Sequence, residues 1–404
     1  MTAILQGVRI LEVAEHTFVP AASAVLSDLG ADVIKIEHVE RGDAMRGLGS
    51  TGLAGLGGEV HPLLEHSNRG KRSIGLDLAS DAGRDVLYRL AATCDVFLTN
   101  KMPGVRSRLK IGVEEIRAAS PDIIYARGTG QGEYGPDADK GSYDSLAFWA
   151  RSGAAVGAMR PEYDIVPPAP APGFGDSVGG MTIAGGIMGA LFHRERTGEA
   201  TEVDVSLLGA GLWAMGQALA LSDRLGMPWK PGPADQSMNP LVANYETSDG
   251  RWIALTCLQA GVYWGSMCEV IERLDLAVDE RFARHADLVA NCTPAMHELS
   301  AAFAARPLAE WIERLANFTG QWAVVQDSVE VISDPQTVAN GYLQECYSAE
   351  GTAFRLVAAP VQYNGSPAVP TRAPQFNEHC EEILGEIGLD MDAIIQLKID
   401  GVVA

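Results

Sequence analysis

The chain is 404 residues long, 47% hydrophobic and 21% charged, the composition of a globular protein with room for two cores and not of a fibrous or disordered one. Its 31 basic residues stand against 52 acidic ones, a formal charge of −21, which excludes a broad basic face for nucleic acid or an anionic membrane. The N-terminus lacks a basic and apolar leader, the longest apolar run (Val178 to Phe192) is short and glycine-broken, and the six cysteines form no CxxC pair, so a cytoplasmic, metal-free protein with reduced thiols is expected.

Val8 to Val13 reads as a buried strand, Pro20 to Leu29 as a helix with proline in its first turn, and Asp32 to Glu37 as a second strand. A helix capped by Ser80 and running to Ala92, then strands at Val96 to Thr99 and Ile123 to Ala126, continue the alternation. The pattern predicts an α/β fold with a doubly wound, Rossmann-like parallel sheet. The first strand-to-helix loop, Ala14 to Val19, holds no glycine, so the dinucleotide fingerprint is absent and neither a nicotinamide nor a flavin is expected. Gly47 to Gly58 is glycine-rich but lacks the Gly-Lys-Ser/Thr of a phosphate cradle and reads as a surface loop.

Proline and glycine between Gly226 and Asp235 mark a linker. Beyond it, a hairpin around Asp249-Gly250 and helices near 262–273, 294–305 and 308–317 predict a smaller α+β domain over 235–330. The large domain then covers 1–225 and is completed by 335–404, where strand-like Phe354 to Tyr363 and a helical tail from Glu378 need the N-terminal sheet to pack on.

Asp176 stands in Gly173-Phe174-Gly175-Asp176-Ser177-Val178-Gly179-Gly180, ahead of the apolar run. Two readings are open. As an N-cap, the carboxylate accepts an N–H from the first helical turn and stabilises by about 1 kcal/mol. As a nucleophile, it is reached by a ligand through the space that glycines leave.

Several segments in order resemble the class III (CaiB/BaiF-type) coenzyme A transferases, the family of formyl-CoA transferase, carnitine CoA-transferase and α-methylacyl-CoA racemase. They are Gly7 to Leu11, Leu29 to Glu37, Gly42-Asp43 with Arg46, Asn68 to Ile74, Leu76 to Leu78, Pro103-Gly104 with Arg108, Gly175-Asp176 with Gly180, His193 to Glu195 with Thr197-Gly198, and the tail from Leu384-Gly385 to Val402-Val403. The resemblance implies an acyl-CoA:carboxylate CoA-transferase in which Asp176 attacks the thioester to form an anhydride and then an aspartyl-CoA thioester. It further implies that Tyr143 and Thr17 position or polarise the carbonyl, that the helix end keeps Asp176 ionised, and that no metal is required. Coenzyme A is the implied cofactor, carried as acyl-CoA, with a carboxylic acid as acceptor. Its phosphates are expected at a local cluster drawn from Arg46, Arg69, Lys71, Arg72 and Arg108, with His38 where formyl-CoA transferase has arginine. An interlocked homodimer is implied as well.

The racemase branch uses a histidine where Tyr143 stands and a glutamate near Gln259; neither residue here is a base near neutrality, so a 2-substituted acyl-CoA racemase or epimerase is the second reading. Thr17, Leu48 and the loop Cys257 to Gly261 depart from formyl-CoA transferase, which argues against formate and oxalate and for a larger, less polar acyl group. The same departures make a catalytically silent CoA-thioester-binding protein the third reading.

Overall fold

In the computed structural model, residues 3–51, 60–162, 165–234 and 237–404 are described, and the chain divides into two units: Met1–Val156 with Pro168–Met227 and Pro335–Ala404, and Gly157–Pro167 with Pro228–Asp334. The side chain of Leu48 and most of the glycine-rich segment lie outside the described residues.

The first unit is built on β1 (Arg9–Val13), α1 (Phe18–Asp28), β2 (Asp32–His38), α2 (Pro62–Asn68), β3 (Arg72–Leu76), α3 (Asp81–Ala91), β4 (Val96–Thr99), α4 (Pro103–Leu109), α5 (Val113–Ala119) and β5 (Ile124–Thr129). A π-helical turn at Ser145–Arg151, the long α6 (Phe174–Thr197), β6 (Glu202–Ser206), α7 (Leu207–Ala214) and α8 (Gly216–Leu225) follow. The strands form one sheet in the order β3-β2-β1-β4-β5-β6, every pair parallel. Parallel strands covered on both faces must be apolar throughout, and β1, β2 and β4 are almost continuously buried.

One face packs on α1 and α6 through Phe18, Val19, Ala22, Ile183, Ala184 and Ile187. The other packs on α3 and on the C-terminal α-helices α9 (Cys380–Glu386) and α10 (Met391–Ile399), through Leu87, Ile383, Leu384 and Val402. The tail thus lies on the N-terminal sheet as the sequence requires, with Leu76 bridged to Val403. α1 begins at Phe18, two residues before Pro20, because a first-turn N–H has no intrahelical partner and proline loses nothing there. The strand expected over Phe354 to Tyr363 stops at Val357, three residues short of Pro360, and pairs with Leu343–Tyr347 as a separate hairpin.

The second unit holds the expected hairpin, Val242–Glu246 against Trp252–Thr256, plus a third strand at Trp322–Val324. Its core centres on Trp264, Phe303 and Trp311. The segment Gly157–Pro167, kept in the large domain by the sequence reading, belongs to this unit. Gln259 is here too, immediately before the helix Ala260–Val270.

Candidate active site

The strand order reverses between β1 and β4, so the loops leaving the carboxyl ends of neighbouring strands diverge and open a crevice. A cavity of about 440 Å³ lies there, lined by Glu15 and His16 after β1, Asn100 and Lys101 after β4, Gly128 to Gly130 at the end of β5, and Ser142, Tyr143 and Asp176. A second cavity, of about 280 Å³, shares Glu15, Arg41, Lys101, Val105 and Arg108 with it and continues over an apolar floor of Ile36, Leu76 and Leu78 to His38.

Asp176 is the third residue of α6, not its cap. The N-cap is Gly173, held in the left-handed region at φ 67° with no side-chain bond. The free N–H of Gly175 is instead accepted by Asp144 at 3.2 Å, a carboxylate from another segment that also takes the N–H of Ser145 at 2.7 Å. Asp144 thereby stands beside Asp176. Burial, reinforced by this like charge, pushes the Asp176 carboxyl up to about 7, which corrects the expectation that the helix end keeps it ionised. Its carboxylate accepts no hydrogen bond from the described residues. The sequence shows Asp144 only as the neighbour of Tyr143; its capping role needs the fold.

The glycines around Asp176 do not leave room for a ligand. A Cβ on Gly175 would sit 2.5 Å from Phe148, one on Gly179 2.4 Å from Phe18, and one on Gly180 3.0 Å from Ala21 and the backbone of Phe18. They allow α6 to lie against α1 and the π-helical turn, which fixes the height of Asp176 in the crevice.

Tyr143 shares the cavity with Asp176 and is largely exposed. Thr17 does not: its side chain lines a smaller cavity with His66, Gly173 and Ser177 and packs on Gly173. Of the expected phosphate ligands, Arg108 and His38 line the crevice, Arg108 in both cavities. The other four are engaged inside the protein. Arg69 is buried on Asp28 at 2.8 Å, and fully buried Lys71 is on Glu12 at 2.8 Å, with Pro20 and Asn68 taking its other N–H groups. Arg46 makes two bonds to Glu37, and Arg72 is held by Asp32, Glu382 and Glu386. Carboxylates already meet these charges, so a phosphate would have to break an ion pair to reach them.

The structure adds cations that the motifs did not mark. Arg41 lines both cavities and Lys140 the first, and neither they nor Arg108 have a carboxylate partner among the described residues. Lys101 is paired with Glu15 at 3.0 Å. No group of residues suited to a metal occurs among the described ones, and no described helix is long and apolar enough to cross a membrane.

A family model for CoA-transferase family III matches residues 5–380. The chain is 29% identical over 401 residues to (R)-2-hydroxy-4-methylpentanoate CoA-transferase of Clostridioides difficile, covering 99% of each, and 29% identical over 405 residues to cinnamoyl-CoA:phenyllactate CoA-transferase of Clostridium sporogenes, covering 99% of this chain and 97% of that one. A crystal structure of a CaiB/BaiF family protein from Brucella suis superposes with a TM-score of 0.84 at 25% identity, over 96% of this chain and all of that one. The chain belongs to CoA-transferase family III and is a CoA-transferase.

Proposed function

We propose that the protein transfers coenzyme A from an acyl-CoA to a carboxylic acid, with Asp176 as the covalent carrier. The observation that carries this reading is a partly buried carboxylate free of hydrogen-bond donors and open to a cavity. Burial removes the water that makes a carboxylate a poor nucleophile, and the crevice aligns it with the thioester. An Asp176 oxygen attacks the thioester carbonyl, the C–S bond breaks, and a mixed anhydride and CoA thiolate result. The thiolate attacks the aspartyl carbonyl and releases the first acid; the acceptor acid then reverses both steps. Tyr143 supplies a hydroxyl in the same cavity for the developing oxyanion.

Arg41 and Arg108, where the two cavities join, are the unpaired cations for the CoA phosphates, and the apolar floor beside His38 suits the adenine. Arg41→Ala and Arg108→Ala are each expected to raise KM for acyl-CoA about tenfold or more with kcat little changed, the loss of one charge-assisted bond, measured by steady-state kinetics.

The reactive form is the carboxylate, so kcat/KM for acyl-CoA is expected to rise with pH through about 7. Asp144→Asn removes the like charge, lowers the Asp176 pKa and moves that rise toward acid. An unmoved profile in this variant would separate the profile from Asp176.

The names of the two curated relatives point to acids bearing a 2-hydroxyl and an apolar side chain, which fits the departures from formyl-CoA transferase. A screen of acyl-CoA donors against 2-hydroxy-4-methylpentanoate, phenyllactate, glutarate and oxalate, with mass spectrometry for a borohydride- or hydroxylamine-trapped adduct on Asp176, tests the reading. Absence of both transfer and adduct would overturn it. A homodimer belongs to the same proposal: α8 buries none of its residues, its Leu221 and Leu225 are exposed, and so is Trp213 of α7, an apolar face that a second copy would cover.

A further inference from the structure

We infer that His16 is a catalytic residue of this transferase, whose ring N–H meets the CoA thiolate while that thiolate is free of both acyl groups. The inference rests on the function proposed above. Its starting point is the backbone: His16 has φ 67°, and of the five described non-glycine residues with positive φ it is the one that lines the cavity. That conformation is costly for most side chains and persists where the surroundings impose it. Here the N–H of His16 is accepted by Asp43 at 3.0 Å, and Asp43, fully buried, is held by Lys35 at 2.8 Å. On the other side Asn100 accepts the N–H of Glu15 and donates to its carbonyl at 2.7 Å. The ring meets the Tyr143 ring edge-on, 5.8 Å between centroids. The backbone is fixed, the ring rests edge-on against Tyr143, and the residue lines the crevice that holds Asp176.

The chemistry has a need that the other charged and titratable lining groups do not meet. When the thioester C–S bond breaks, its electron pair stays on sulfur, and the negative charge lasts until that sulfur attacks the aspartyl carbonyl. Asp176 and Glu15 are anionic or paired, Tyr143 faces the oxyanion, and Arg41, Arg108 and Lys140 are permanent cations suited to phosphate. An imidazole N–H donates to the thiolate, or as imidazolium gives it a proton, becoming neutral, and takes that proton back, without holding it as a fixed salt bridge; a neighbouring imidazolium favours thiolates in just this way. The proton count is unchanged over the cycle.

His16→Gly removes the ring and suits a positive φ, and His16→Asn keeps the conformation and a hydrogen-bonding group that does not titrate. The thiol of bound CoA is titrated by thiolate absorbance, as the difference between complexes with CoA and with desulfo-CoA. The midpoint is expected about one pH unit lower in wild type than in either variant. kcat for the best pair of the donor and acceptor screen is expected to fall about 100-fold, with KM for acyl-CoA within threefold. Equal midpoints, or undiminished kcat in His16→Gly, would overturn the inference. If instead wild type binds no CoA, or Asp176→Ala still transfers, the transferase mechanism itself fails, and this inference with it.

Discussion

Asp176→Asn is expected to lower kcat by about 10⁴ to 10⁶-fold, the range for loss of a group whose electrons make the bond, in whichever donor and acceptor pair the wild type turns over. Stability should change in the opposite sense. A carboxyl whose folded pKa lies near 7, above its ordinary value of 3.8, favours folding most when protonated, so its contribution is lost as pH rises through 7. Asparagine does not titrate. Urea midpoints of wild type and variant should therefore converge near pH 4, with the variant the more stable at pH 8. An inactive variant that is also less stable at pH 8 would mark Asp176 as a structural residue and remove the ground for treating it as the nucleophile. The pairing of lost activity with gained stability is what a site held under electrostatic strain produces.

Lys35→Met should be the most damaging single change away from the crevice, at about 3–5 kcal/mol. Lys35 is fully buried between Glu12 and Asp43, 2.8 Å from each, and also donates to the carbonyl of Ala14. Methionine keeps most of the volume and leaves two buried carboxylates short of a cation. Glu12 retains Lys71 and Ser23, whereas among the described residues Asp43 retains only the N–H groups of His16 and Met45. Lys35 holds both carboxyls below their ordinary range, so the stability they lend is present at neutral pH and lost as pH falls below about 4. The destabilisation by Lys35→Met is accordingly expected to be full at pH 7 and to shrink on acidification, read from urea unfolding at both ends of that range. A loss that does not vary with pH would show that packing, not charge, is what Lys35 provides.

The alternation of strands and helices was legible because each buried strand is a short apolar run bounded by breakers, and α1 and α3 carry a first-turn proline and a serine cap where their free N–H groups need one. The third strand of the small sheet, Trp322–Val324, was not: three residues carry no period. Asp176 was legible as important, and its neighbours misled. Glycines before and after it suggested access for a ligand, yet the space is taken by Phe148, Phe18 and Ala21, partners distant in sequence. The same limit applies to the cations. Asn68 to Ser73 looks like a phosphate cluster in one dimension, but α1 and β1 bring Asp28 and Glu12 onto Arg69 and Lys71. Arg41 has no such carboxylate among the described residues, and only the fold brings it beside Arg108. A sequence displays charge; its neutralisation is a tertiary property.

The placement of Val402–Ala404 against β3 has a consequence for how the molecule is made. Gly75 accepts the N–H of Ala404, Val402 takes the N–H of Asp77, and Cys380, Ile383 and Leu384 complete the core on that face of the sheet. These partners are separated by more than 300 residues of chain, including all of the second unit. At about 5–20 residues per second, a ribosome leaves β3 uncovered for roughly 15–65 s after it has emerged. During that interval Ile74, Leu76 and the flank of β2 have α3 but lack the cover that the C-terminal tail supplies, while the second unit, nearly contiguous in sequence, can finish folding. The order of synthesis therefore runs against the order of the sheet, and this strand edge is where a nascent chain would need a chaperone.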